Sequence, residues 1–347
     1  MAKLRGLLLD WYRAGHRDLP WRKTRDPYAI WVSEVMLQQT RVETVIPYYE
    51  RFLAALPTVG ALAEAPLDEV LRLWSGLGYY RRARLLHRGA QQVVSEHRGR
   101  VPDDVDALLA VPGVGRYTAG AIASIAFARP APLVDGNVAR VLSRVLLLDE
   151  DPRSAGAQHK LWEWARELSA GEDPGSLNQA LMELGATVCV PRAPSCAACP
   201  VRALCGARAA GRQDELPRAT ARKAPARVSR VAIVARVGDA VMLAKRRAGA
   251  LFGGLWEPPL LDTAPELASR LRLDPARLEA RGSLVHVLSH RRIAIDVFST
   301  QLAKDPRWAP FGDYEKVDRV RGTSLEALAL SALARRVLAT ADLRNEE

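Results

Sequence analysis

The sequence predicts a chain in two parts, an all-α region followed by a smaller α+β region. Three observations carry that expectation. Apolar residues recur at helical spacing through the first 205 positions, in Ala29–Gln39, Val70–Trp74, Tyr117–Phe127, Val138–Leu146 and Leu161–Leu168. Beyond a basic stretch poor in large apolar residues, the period shortens to two. Between the two regimes, all four cysteines fall in one short tract.

Within the first part, Pro57, Gly60, Gly76, Gly78, Pro102, the Pro112–Gly115 turn, Pro130 and Pro132 punctuate the helices. The stretch from Gly206 to Arg230 is rich in Ala, Arg, Gly and Pro, and 211–230 holds six positive and two negative charges. It reads as a solvated linker, with a basic strap along nucleic acid as the alternative. After it, Val231–Val237 and Val241–Lys245 flank Gly238-Asp239, a hairpin signal. Ser283–Leu288 and Ile293–Thr300 flank Ser289-His290-Arg291, and Leu325–Leu338 returns to helical spacing. The expected divisions are 1–206, a linker at 207–228, and 229–347.

The 347 residues are 48% apolar and 26% charged, enough to bury a sizeable core. That excludes a disordered, collagen-like or disulfide-dense chain. Lys plus Arg number 50 against 39 Asp plus Glu, a net charge of +11 that suits a polyanionic partner. Arg supplies 43 of the 50, a bias that a GC-rich genome also produces. No apolar run approaches the length of a membrane span. The apolar patch Leu7–Leu9 stops at Asp10 and Trp11, too soon for a signal-peptide core. A cytoplasmic, nucleoid-associated protein without a membrane partner is expected.

Four segments carry chemistry. Cys189, Cys196, Cys199 and Cys205 have the spacing C-x6-C-x2-C-x5-C, so four thiolates converge on one centre. Zinc and an iron–sulfur cluster both accept such a set. In Leu109–Gly120 the glycines Gly113 and Gly115 bracket a tight turn between two helices. The second helix begins near Arg116 and turns its free N–H groups toward the turn, a phosphate-binding geometry. In Val134–Arg140, Asp135 stands at a helix start, with Asn137 and Arg140 following. In Trp31–Thr40, Glu34 lies among Val32, Val35, Met36 and Leu37, where an apolar setting raises a carboxyl pKa and suits a general acid. Taken singly, each has a plainer reading: an αα turn, an N-cap, a carboxylate on a solvated helix edge.

Together, and in this order, the motifs resemble the endonuclease III-like, helix-hairpin-helix DNA glycosylases of base excision repair. Gly76-Leu-Gly-Tyr-Tyr-Arg-Arg-Ala83 belongs to the same series. Within that superfamily the chain is similar to adenine DNA glycosylases of the MutY type. Asp18-Leu-Pro-Trp-Arg22 precedes the Glu34 helix. Tyr117 stands where lyase-competent relatives carry a lysine nucleophile. Leu251-Phe-Gly-Gly-Leu-Trp-Glu-Pro-Pro259 opens a C-terminal part similar to a Nudix-like recognition domain.

The resemblance implies an all-α glycosylase domain with a [4Fe–4S] cluster loop, two helical subdomains walling an active-site cleft, and an α+β Nudix-like domain. The Nudix hydrolase signature is missing, since Pro258, Pro259 and Glu266 follow Gly254 with no Arg-Glu…Glu-Glu pattern, so a binding role is expected there. The implied activity is monofunctional excision of adenine mispaired with 8-oxoguanine or guanine in duplex DNA, by a monomer. Glu34 would be the acid and Asp135 the stabilising carboxylate, with Tyr117 and Asn137 orienting them. Gln39 and Tyr79 would wedge into the duplex, with core packing as their alternative. Gly113, Gly115 and Arg116 would hold a backbone phosphate. Ser289 and His290 would read the modified base from a loop where Leu288 replaces the family's Phe. The rival readings are a bifunctional pyrimidine-lesion glycosylase/lyase of the same fold and a non-catalytic damage binder.

Overall fold

A computed structural model describes residues 1–218, 224–288 and 291–342. The chain runs through α1 (Ala2–Ala14), α2 (Pro27–Leu37), α3 (Val42–Ala55), α4 (Val59–Glu64), α5 (Leu67–Leu73) and α6 (Arg81–Glu96). It continues through α7 (Val105–Ala110), α8 (Arg116–Phe127), α9 (Gly136–Val145), α10 (Ala155–Ser169), α11 (Pro174–Thr187) and α12 (Gly206–Ala209). No strand occurs among the described residues before position 226, as the helical periodicity predicts. No helix among the described residues is long and apolar enough to cross a membrane.

Local chemistry starts these helices. Asp26, Asp104, Asp135 and Ser154 each accept a hydrogen bond from a first-turn amide of α2, α7, α9 and α10 respectively. Pro27 and Pro174 open α2 and α11, where a missing N–H costs nothing.

By contact density the chain divides into two units. One holds 1–64 and 85–221; the other holds 65–84 and 222–347. The α5 segment, in the middle of the helical sequence, thus belongs with the sheet-bearing residues, an affiliation no local pattern announces. In the first unit, α1, α9, α10 and α11 share a core of small and branched residues, among them Leu8, Val138, Leu142, Leu161, Leu181 and Leu184.

The stretch expected to be a solvated linker is folded up to 218. Ala207 and Leu216 are buried. Arg212 and Arg218 both pair with Asp149, and Arg144 donates to the Leu216 carbonyl at 2.7 Å. Arg212 and Arg218 thus have an acidic partner, although Arg218 stays 61% exposed.

The second unit holds a mixed sheet of β1 (Ala226–Val237), β2 (Ala240–Arg246), β3 (Trp256–Glu257), β4 (Leu260–Leu261), β5 (Glu279–Val287), β6 (Arg291–Gln301) and β7 (Tyr314–Arg321). The path is β3-β2-β1-β6-β5, with β4 on β1 and β7 on β2. The predicted hairpin forms, β1 turning into β2 across Gly238-Asp239, and β5 pairs antiparallel with β6. β1 runs parallel to β6. Strand alternation divides two cores. Ala232 and Val234 face α14 (Ala332–Asp342) through Leu333, Val337 and Leu338. Val231, Ile233 and Ala235 face α13 (Ala264–Leu271) through Leu267 and Leu271. Helical structure in the C-terminal stretch is split: a 3-10 turn at Gly322–Ala327 precedes α14. Glu266 is the single acidic residue of α13.

Candidate active site

Every residue of α2 from Tyr28 to Met36 is buried. A helix apolar on all sides is a buried helix, so Glu34 has no solvated edge and is only 4% exposed. Tyr117, in the first turn of α8, donates its phenol to Glu34 Oε2 at 2.5 Å and lies 3.2 Å from Met182 Sδ. Burial pushes the Glu34 carboxyl up to about 7; the Tyr117 hydrogen bond and Arg22 oppose the rise, and the charge of Asp135 adds to it. Burial and the neighbouring carboxylates hold the Tyr117 phenol well above its ordinary pKa, so it stays a neutral donor.

Asp135 is a helix cap with further work. Its Oδ1 accepts from the Val138 amide at 2.7 Å and its Oδ2 from Asn137 Nδ2 at 3.1 Å. Arg140 fixes Asn137 in turn, donating to its Oδ1 at 2.8 Å, to the Gly185 carbonyl at 2.7 Å and to the Cys189 carbonyl at 2.8 Å. A Cβ on Gly185 would sit 2.6 Å from that of Asn137, so glycine is what lets α11 approach this closely. Burial raises the Asp135 pKa, while the Val138 and Asn137 hydrogen bonds and the Arg140 charge pull it back. The two carboxyls therefore differ in support: one hydrogen bond favours ionised Glu34, three favour ionised Asp135.

Glu34, Asp135, Tyr117 and Asn137 line one cavity of about 700 Å³. The structure thus brings together the four residues expected to carry the chemistry, from α2, α8 and the start of α9. Its lining among the described residues contains no lysine. Arg17, Arg22 and Glu183 also line it and were not anticipated as a group. Glu183 accepts from Arg17 Nε at 2.9 Å and from the Arg17 and Arg22 NH2 groups at 2.8 Å each. Burial alone would raise its pKa, but the two guanidiniums hold it down at about 2. The Asp18–Arg22 motif marked this neighbourhood; Glu183, 161 residues from Arg22, carried no local signal.

The turn between α7 and α8 lines the same cavity through Gly113, Gly115 and Arg116. Gly113 has φ +83°, and a Cβ there would meet Leu85. Gly115 is different: its φ is −95° and a Cβ would meet nothing, so the backbone lies open to an approaching group. Arg116 is not a loose cation, because its guanidinium stacks 4.0 Å from the Trp162 ring centroid.

Core packing does not describe Gln39 or Tyr79. Gln39 is exposed with φ +59°, and Tyr79 is 45% exposed with φ +48°. Ser289 and His290 lie outside the described residues.

Cys189, Cys196, Cys199 and Cys205 are all half-buried thiols lining one small cavity beside Arg144, whose NH1 lies 3.3 Å from Cys189 Sγ. Among the described residues, no three His, Cys, Asp or Glu side chains converge tightly enough to hold a single metal ion.

Comparisons with known proteins bear on both halves. The family described as HhH-GPD superfamily base excision DNA repair protein matches residues 32–167, and the NUDIX domain family matches 230–340. The adenine DNA glycosylase of Rattus norvegicus is 41% identical, the match covering 85% of this chain and 70% of that protein. That of Homo sapiens is 40% identical, covering 87% and 67%. Among solved structures, a thermostable thymine-DNA glycosylase superposes with TM-score 0.54 at 30% identity, over 60% of this chain and 96% of its own. A trapped endonuclease III–DNA covalent intermediate superposes with TM-score 0.50 at 25% identity, over 60% and 94%.

Proposed function

The chain belongs to the adenine DNA glycosylase family, and from that premise we propose how its cavity removes adenine and which mispair it serves. It is a base excision repair enzyme that hydrolyses the N-glycosyl bond of adenine in DNA. The proposed substrate is adenine opposite 8-oxoguanine or guanine in duplex DNA, and the acting species is a monomer. A stacked base is out of reach of a buried carboxyl, so the adenine is flipped into the cavity.

Glu34 is the general acid, and the observation that carries this reading is its burial in one cavity with Asp135, hydrogen-bonded to Tyr117. Its proton goes to adenine N7, which turns a poor anionic leaving group into a neutral one. As the bond breaks, positive charge builds on the sugar. Asp135, whose ionised form the Val138 and Asn137 hydrogen bonds favour, stabilises that charge or traps it covalently, and Glu34, now a base, activates the water. Tyr117 holds Glu34 in place and Asn137 holds Asp135. The cavity lining has no amine to form a Schiff base, which supports monofunctional excision over a glycosylase/lyase. A binder would have no use for two carboxyls buried in one cavity, each at a desolvation cost.

The hairpin turn receives a backbone phosphate at the open Gly115 amide and the first turn of α8. Gln39 and Tyr79 wedge the duplex, and residues 229–347, with Ser289 and His290, read the opposing base. The four cysteines hold a [4Fe–4S] cluster. They line one small cavity together, a thiol set of the kind an iron–sulfur cluster accepts. Held by Cys189, Cys196, Cys199 and Cys205, the cluster would tie together the loop that follows α11.

The test is a duplex with one adenine opposite 8-oxoguanine and the adenine strand labelled. Strand breakage only after hot alkali is the expected result. Breakage without alkali would mean lyase chemistry and overturn the assignment of Tyr117. Binding with no breakage in either half would favour the binder.

A further inference from the structure

The turn that carries Tyr79 is held in an improbable backbone. Gly76, Gly78 and Tyr79 have φ of +110°, +73° and +48°. A non-glycine residue in that region is strained and persists only where its surroundings over-determine it. Within the turn, Trp74 Nε1 donates to the Gly78 carbonyl at 3.1 Å and the Gly76 amide to the Tyr80 hydroxyl at 3.2 Å.

Both flanks of the turn are fixed to the sheet-bearing residues. Before it, Lys245 Nζ on β2 donates to both Asp68 oxygens at 2.8 Å, with Glu315 also 3.9 Å away. Lys245 is 16% exposed and Asp68 59%, so only the lysine side of the pair is shielded from solvent. Ser75 Oγ donates to the Leu330 carbonyl at 2.6 Å. After it, the Arg84 guanidinium donates to the Gly253 carbonyl. The close approach depends on Gly254, with φ +76°, where a Cβ would stand 2.9 Å from Leu71 Cδ1. The Gly253-Gly254 pair of the Leu251–Pro259 motif is the seat on which α5 rests.

We infer that the C-terminal part of the chain sets the position of the Tyr79 wedge, with Lys245 and Ser75 as positioning residues acting through it. This rests on the proposal that Tyr79 wedges the duplex. It makes wedging and reading of the opposing base properties of one packed body. A sheet displaced by its ligand therefore moves the wedge with it.

The experiment uses the full chain on a duplex with adenine opposite 8-oxoguanine and 2-aminopurine, which brightens when unstacked, as the neighbour of the 8-oxoguanine. Single-turnover excision and probe fluorescence are read together for Lys245→Ala, Ser75→Ala, Tyr79→Ala and each double with Tyr79→Ala. A reacting group misplaced by about 1 Å costs about 100-fold, so loss of one clamp among several is expected to cost about tenfold. Both single variants should lose rate and fluorescence, and neither should lose more once Tyr79 is already alanine. The swap Asp68→Lys with Lys245→Asp should restore both signals. Losses that multiply with that of Tyr79→Ala, or full activity in both single variants at unchanged probe signal, overturn the inference. Should Tyr79→Ala itself leave both signals intact, the wedge reading fails first and the inference falls with it. Matching thermal midpoints across the variants separate positioning from unfolding.

Discussion

Replacing Tyr117 with Phe removes one oxygen and should move a pH profile. In the wild-type cavity the phenol donates to Glu34 Oε2 at 2.5 Å and favours the ionised carboxylate. A hydrogen bond to a charged group is worth about 1.5–3 kcal/mol, and 1.36 kcal/mol is one pKa unit, so its loss raises the Glu34 pKa by about one to two units. The acid must be protonated to act. The wild-type excision rate should therefore fall above a pH of about 7, and the fall in the variant should start one to two units higher. The plateau drops, because the carboxyl loses its orienting partner. Single-turnover excision is measured between pH 5.5 and 9.5 on one duplex for both proteins, so that the charge of the DNA cancels in the comparison. An alkaline limb that stays put or moves down would refute the assignment of Glu34 as the acid held by Tyr117.

Glu34→Gln should lower excision by about a hundredfold to ten-thousandfold while leaving duplex affinity within a few-fold, as judged by gel shift. Asn137→Ala removes the side-chain donor to Asp135. The Asp135 pKa rises further, and the acidic limb of the same profile should move up by about one to two units; an unmoved acidic limb would remove Asn137 from the mechanism. Glu183→Gln leaves Arg22, 8% exposed, without its counter-charge, and should destabilise the chain by about 3–5 kcal/mol in urea unfolding. In the wild type the depressed Glu183 pKa gives stability that is present above its unfolded value near 4.5 and lost as pH falls toward about 2. Acid unfolding of the wild type should show that loss, and the Gln variant should not. Analysis of the purified chain should find about four iron and four sulfide per polypeptide; a single zinc would refute the cluster.

The helices and hairpins were legible because their causes are local. Caps such as Asp26 and Asp135 act within three residues, and the apolar period of α8 or β1 is written in consecutive positions. The identities at the candidate site were legible too, as residues in an order that resembles a family. What the segment around Glu34 lacked was its environment. An apolar helix with one carboxylate reads equally as an amphipathic edge, until packing buries every residue from Tyr28 to Met36.

From the sequence alone came the division into helical and mixed parts, the motifs, the hairpin turns and the grouping of the cysteines, since each depends on neighbours along the chain. Tertiary structure alone decided which partners those residues meet. Tyr117 reaches Glu34 across 83 positions, and Arg22 reaches Glu183 across 161. Arg212 and Arg218 found Asp149, and 65–84 left the helical unit for the sheet. Burial and charge pairing at such separations depend on how whole elements pack. So the pKa of Glu34 and the seat of the Tyr79 turn, on which the proposed chemistry depends, are properties of the packed chain rather than of any segment in it.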